Sequence, residues 1–312
     1  MTDGLRAALR SGRPVVTAEI APPRDADPAA VTRAAATLRG VVDAANVTDN
    51  QGANVRMSSL AASVLVTAAG LEPVMQLTCR DRNRIALQSD LIGAAALGIP
   101  NVLLLTGDHP TLGDHPGARP VFDLDGVQLV WTARTLRDDG TTLAGRALAA
   151  RPDWLIGTVE NPYAAPTALR ARRLAKKVAA GAEFVQTQYV FDVDPFARWM
   201  ADLRALGVTD RCAVLAGVGP IRSPRMLDHL ATKVPGVHVP DALARRLRGV
   251  PAARFAAEGL AVCVETVREL VAIPGVTGVH VMAFGHEHEV AEIVGRAGIG
   301  PATNREGDGH AA

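Results

Sequence analysis

Eight short β-branched runs, each followed by a longer Ala-, Leu- and Arg-rich run of helical period, constrain this chain more than any other feature. Apolar runs of four to eight residues read as buried strands, and apolar recurrence at three and four residues reads as helices. The strand runs are Val15–Ile20, Val42–Thr48, Pro73–Thr78, Asn101–Leu105, Trp154–Val159, Phe184–Gln188, Cys212–Gly217 and Val279–Phe284. The helical runs between them include Pro28–Leu38, Ser58–Ala69, Arg82–Ala96, Val127–Asp138, Ala165–Ala180 and Asp194–Leu206. Three more, Pro224–Thr232, Asp241–Leu247 and Ala252–Ile273, precede the last strand, and Ser223-Pro224 supplies an N-cap and first-turn pair. Strict alternation of this kind predicts an α/β fold, a (β/α)8 TIM barrel in one domain over residues 1–300, with extra helices before the last strand. A doubly wound sheet is the alternative. It usually carries a Gly-x-Gly-x-x-Gly turn after an early strand, and Gly217-Val218-Gly219-Pro220 is late and one glycine short.

The rest of the sequence narrows the partners. The 312 residues carry 33 basic and 32 acidic side chains and no basic block, which argues against nucleic acid. No run approaches the roughly 18 apolar residues of a membrane span. Met1–Pro14 is studded with charge and is not read as a signal peptide. Cys79, Cys212 and Cys263 are few, odd in number and widely spaced, which fits a reducing cytoplasm and neither a disulfide framework nor a metal knuckle. The segment from about Gly300, residues 301–312, reads as a disordered tail.

In a barrel of this type the active site forms at the C-terminal ends of the strands. Glu19 stands out there. Val15, Val16 and Ile20 make a buried strand that Pro22-Pro23 terminates. A carboxylate at its mouth is costly unless paired, with Arg24 for example, or used. Burial favours its protonated form, which suits a general acid. Other strand ends add Thr48-Asp49-Asn50-Gln51, Gln76 to Arg84, Thr106-Gly107-Asp108-His109, Glu160-Asn161, Gln186 and Gln188, and His280 with His286-Glu287-His288-Glu289. Gln186 and Gln188 should share one face of their strand. Amides, hydroxyls and a few acids together suit a flat heteroaromatic ligand such as a flavin or pterin. The long irregular stretch Thr106–Asp125 is the kind of loop that carries function. His286-x-His288 is too incomplete a ligand set to predict a metal centre, and a catalytic cysteine is not expected. The basic run Arg170–Lys177 reads as a solvated helix face, part of which could hold a cofactor phosphate.

In order and spacing these residues resemble the methylenetetrahydrofolate reductase family. The resemblance runs from Val15 to Ala283. It is carried by Glu19 with Pro22-Pro23-Arg24, Leu77-Thr78-Cys79, Gly107-Asp108, Lys177 with Ala180-Gly181-Ala182, and Thr187-Gln188 with Phe191-Asp192. It implies a (β/α)8 oxidoreductase of one-carbon metabolism, in the short bacterial form, that reduces 5,10-methylenetetrahydrofolate to 5-methyltetrahydrofolate for methionine biosynthesis. NADH or NADPH would be the reductant and bound FAD the hydride carrier. By position, Glu19 is the family's acid, Asp108 the aspartate beside flavin and pterin, and Gln188 the amide that contacts folate. Thr48, Gln76, Thr106, Gly107, Asp108, Phe122, Asp125, Arg173 and Lys177 fall at flavin-lining positions. Gln76, Thr106 and Arg173 depart from the family's usual histidine, arginine and amide, so FMN or direct hydride transfer without flavin stay open beside FAD. Tetrahydrofolate is the expected partner molecule, and a homo-oligomer or a complex with a partner subunit the expected assembly. A folate-binding subunit without catalysis is the remaining alternative.

Overall fold

The computed structural model describes residues 4–234 and 236–301, so the expected tail lies outside the described residues except for Pro301. Eight parallel strands close in sequence order into a barrel. Helix α1 (Leu5–Ala8) precedes β1 (Val15–Ile20). Then follow α2 (Pro28–Leu38), β2 (Ala44–Val47), α3 (Ser59–Ala68), β3 (Pro73–Thr78), α4 (Arg84–Ala96), β4 (Asn101–Leu105), α5 (Gly126–Arg134) and β5 (Leu155–Glu160). The second half is α6 (Arg170–Ala180), β6 (Phe184–Tyr189), α7 (Val193–Ala205), β7 (Ala213–Val218), α8 (Pro224–Thr232), α9 (Asp241–Arg248), α10 (Phe255–Val271), β8 (Val276–Val281) and α11 (Glu287–Ala297). The expected (β/α)8 architecture and the three helices before the last strand are therefore present.

The strands read as nearly continuous apolar runs because a parallel sheet is covered on both faces. Outward residues such as Val16, Ala18, Val47 and Val279 join the helices in one core cluster. Inward residues Val15, Ala44, Val74, Leu103, Leu155, Phe184 and Leu215 plug the bottom of the barrel. Phe184 is fully buried, and burying such a side chain contributes about 1.5–3 kcal/mol. Helix starts are set by side chains that take up free N–H groups: Asp27, Ser58, Asn83, Asp125 and Ser223 all cap in this way.

Several boundaries differ from the reading of the sequence. β2 is shorter, because Val42 makes only an isolated bridge to Arg39. β8 begins three residues earlier, at Val276; its run of apolar residues continues past the ladder into Met282 and Phe284, where the backbone turns to a positive φ of 38°. Helix α11 follows β8 where the reading of the sequence places only the strand-end residues His286-Glu287-His288-Glu289. No described helix is long and apolar enough to cross a membrane.

Candidate active site

Alternation on β1, β2 and β3 carries the inner face upward from Val15, Ala44 and Val74 to Glu19, Thr48 and Gln76 at the C-terminal mouth. Glu19 is 8% exposed. Its Oε1 lies 3.6 Å from His280 Nε2, and its Oε2 is buried without a hydrogen-bond partner. Arg24 is not its partner: that guanidinium donates to Asn54 at 3.3 Å. Thr48 Oγ is likewise buried and unpartnered, and Gln76 is buried beside it on the next strand.

Beneath Glu19 lies a layer of buried polar side chains. Gln186 Nε2 donates to Thr17 Oγ at 3.1 Å and to Asn46 Oδ1 at 3.0 Å, while Asn46 Nδ2 donates back to Gln186 Oε1. Thr17 Oγ lies 2.9 Å from His280 Nδ1. Reading the sequence placed Gln186 and His280 at strand ends but missed this network. The signal available was the inward parity of Thr17, Asn46, Gln186 and His280 on four different strands.

The expected alternation of Gln186 and Gln188 ends at a bulge. β6 advances three residues, Gln186 to Tyr189, while β7 advances two, Leu215 to Gly217. Gln186 points into the barrel, and half-buried Gln188 turns its Oε1 back to accept the Tyr189 N–H at 3.0 Å. Its amide NH2 makes no hydrogen bond among the described residues.

Asp108 is exposed at the rim and follows Gly107, whose φ is +89°. A Cβ at Gly107 would also sit 3.0 Å from Thr78 Cβ, so glycine alone fits the turn that presents Asp108. The long loop folds back over the β2–β4 side. Asp114 accepts the Val55 N–H, and Val121 and Phe122 donate their N–H groups to Arg80 and Cys79 carbonyls at 2.8 and 3.2 Å.

The positions expected to line a flavin are engaged in different ways. Thr48, Gln76, Gly107 and Asp108 reach the mouth. Thr106 Oγ accepts the Gly126 N–H, and Asp125 caps α5 in a reciprocal pair with Gln128. Phe122 serves the loop through its backbone. Lys177 is buried, donates to the Val159 carbonyl and pairs with Glu160 at 3.1 Å; burial pushes its ammonium pKa down against the pull of Glu160. Arg173 is exposed on α6. Of the two cations expected at flavin-lining positions, one is engaged inside the protein and one faces solvent.

His286, His288 and Glu289 bring ligand atoms within 4.8 Å of one another at the start of α11, but Glu289 already pairs with Arg222 at 2.6 Å. The three cysteines are free and buried, and burial pushes each thiol up to about 12. None is poised as a nucleophile.

Comparison with known proteins places this geometry. The family described as methylenetetrahydrofolate reductase matches residues 4–298. A probable methylenetetrahydrofolate reductase (NADPH) of Caenorhabditis elegans is 25% identical over 244 residues, covering 78% of this chain and 34% of that protein. A methylenetetrahydrofolate reductase (NADH) of Zea mays is 32% identical over 180 residues, covering 53% of this chain and 28% of that protein. The chain thus spans about a third of the length of these eukaryotic relatives. A 5,10-methylenetetrahydrofolate reductase of Pectobacterium carotovorum is 26% identical and covered over 72% of its length by 74% of this chain. In fold, the chain resembles a Clostridium thermocellum protein described as binding two copies of 5-methyl-5,6,7,8-tetrahydrofolic acid. That match has a TM-score of 0.62 at 12% identity and covers 92% of this chain and 96% of the other. With the family matched across nearly all of its length, this chain belongs to the methylenetetrahydrofolate reductase family.

Proposed function

We propose that the chain reduces 5,10-methylenetetrahydrofolate to 5-methyltetrahydrofolate, with NADH or NADPH as hydride donor and Glu19 as general acid. The observation that carries this reading is Glu19 Oε2, a buried carboxyl oxygen without a partner at a mouth ringed by Thr48, Gln76, Asp108 and Gln188. A proton passes from Glu19 to folate N10, the bond from N10 to the bridging carbon breaks, and N5 is left as an iminium. Hydride from nicotinamide C4 adds to that carbon, giving the N5-methyl group and oxidised nucleotide. Gln188 and Asp108 would orient the pterin edge through its ring N–H and C=O groups. Because Lys177 is engaged with Glu160, Arg173 faces solvent and Asp125 caps α5, the hydride is proposed to pass directly between the two substrates. A flavin relay is the second reading, favoured by the unpartnered Thr48 hydroxyl at the mouth.

Support comes from the names of the relatives, which include both NADH and NADPH enzymes, and from the folate-binding Clostridium thermocellum protein of the same fold. The three free, buried cysteines support a cytoplasmic location. Supply of methyl groups for methionine biosynthesis is the proposed role. The test is product analysis on purified protein with a recorded visible spectrum. Colourless protein should form 5-methyltetrahydrofolate in equal amount to the nucleotide oxidised, with no gain from added FAD. Turnover that appears only with FAD or FMN would replace direct transfer by the flavin relay. Absence of product with either nucleotide, with or without flavin, would overturn the activity.

A further inference from the structure

Glu19 is the proposed proton donor, yet it sits in a place that is poor for the carboxylate it becomes. It is 8% exposed, and neither Arg24 nor any other Lys or Arg among the described residues pairs with it. A carboxylate formed there needs a donor. The group that faces it is His280, 3% exposed, with Nε2 at 3.6 Å from Oε1.

The buried layer decides what that nitrogen carries. Gln186 Nε2 already donates to Thr17 Oγ, so one lone pair of that oxygen is taken. The Thr17 hydroxyl is buried and must place its own hydrogen. Its other contact is His280 Nδ1 at 2.9 Å, which therefore accepts. The ring proton then belongs on Nε2, pointing at Glu19. The reciprocal Asn46–Gln186 amide pair holds Gln186 in the orientation this requires.

We infer that His280 is a positioning residue whose Nε2–H stabilises the Glu19 carboxylate left by proton donation, with its tautomer fixed by Thr17, Gln186 and Asn46. The inference rests on the reading of Glu19 as the acid. The proton delivered to folate is that of Glu19; the His280 proton stays on the ring. Engaging Oε1 leaves Oε2 as the oxygen that faces substrate.

The neighbours leave this role to His280. Across β1, Glu19 stands opposite Asn46 of β2, which does not titrate. On β7, Gly217 stands opposite His280. Tyr189 interacts with Glu19, but its phenol donates to the Met282 carbonyl at 3.2 Å and burial raises its pKa well above the usual value, so it stays neutral. Arg222 is held by Glu289 and the Ala283 carbonyl.

The test is the pH dependence of folate reduction in His280→Leu, His280→Gln, Glu19→Gln and the Glu19→Gln/His280→Leu pair. Without the donor, Glu19 releases its proton less readily. His280→Leu should slow folate reduction roughly ten- to a hundredfold at neutral pH. Its alkaline limb should move up by about one pH unit. His280→Gln, which restores a neutral N–H donor, should recover most of the rate, and the double variant should be no worse than Glu19→Gln alone. A folded His280→Leu whose pH profile overlays that of the wild type would overturn the role. Nitrogen-15 NMR of the wild-type protein reads the tautomer without any variant: a ring proton on Nε2 is expected, and one on Nδ1 would overturn the assignment even if His280→Leu fails to fold. If Glu19→Gln itself keeps wild-type turnover, the acid reading fails and takes this inference with it. An impaired Glu19→Gln beside an unmoved His280→Leu profile removes the role of His280 alone.

Discussion

Arg82 grips Asp49 through two hydrogen bonds, 2.7 Å to Oδ2 and 3.1 Å to Oδ1, at the mouth between β2 and β3. The Asp49 side chain is fully buried and also accepts the Thr78 N–H and O–H. The segment Arg80-Asp81-Arg82 thereby acquires a structural reason. Arg80 reaches the Asn50 and Asp108 carbonyls while Arg82 neutralises Asp49 and bridges on to Asp90 at 2.8 Å. These residues tie the start of the long loop to the strand ends that flank Glu19.

Removing one member of that pair should cost far more than a surface ion pair. Arg82→Leu leaves the buried Asp49 without its paired guanidinium, and destabilisation of about 3–5 kcal/mol is expected. Replacing both, as Asp49→Asn with Arg82→Leu, should recover part of that loss, because the buried charge is gone. Urea unfolding of the two variants checks this. Equal stability of Arg82→Leu and wild type would show that Asp49 finds another partner or water.

Gln188 offers an amide NH2 at the mouth while its Oε1 serves the Tyr189 N–H. Gln188→Ala should weaken folate binding by about 1–3 kcal/mol, the cost of a buried hydrogen bond lost. If the side chain served only its own bulge, melting temperature would fall and folate affinity per folded molecule would not. Measuring both on the same variant separates the two roles.

The thiols provide a check on the core itself. With Cys79, Cys212 and Cys263 buried and held near 12, almost no thiolate exists at pH 8. A thiol-specific alkylating reagent should leave all three unmodified in native protein and label them together in denaturant. Rapid labelling of one cysteine under native conditions would point to local opening around it.

Much of this architecture is determined by local sequence. Each strand such as Pro73–Thr78 or Asn101–Leu105 declares itself, because burial on both faces demands an unbroken apolar run. Capping residues such as Ser58 and Ser223 mark helix starts, because a free N–H needs an acceptor close in the chain. Glu19 was conspicuous for the converse reason, a charge in a run that should be apolar. Tertiary structure alone decided its partner. Arg24 is near in sequence, but the strand points Glu19 inward while Arg24 leaves on the loop, and closure of β8 against β1 brings in His280 from 261 residues away. The same closure joins Thr17, Asn46 and Gln186, and the β6 bulge turns Gln188 away from strict alternation. Lys177 is drawn to Glu160 by packing of α6 on β5, which no helical periodicity encodes. Chain-local forces of burial, capping and turn geometry act over a few residues and can be read in order. Which polar groups meet inside the barrel depends on register and closure across eight strands, and only the folded chain fixes these.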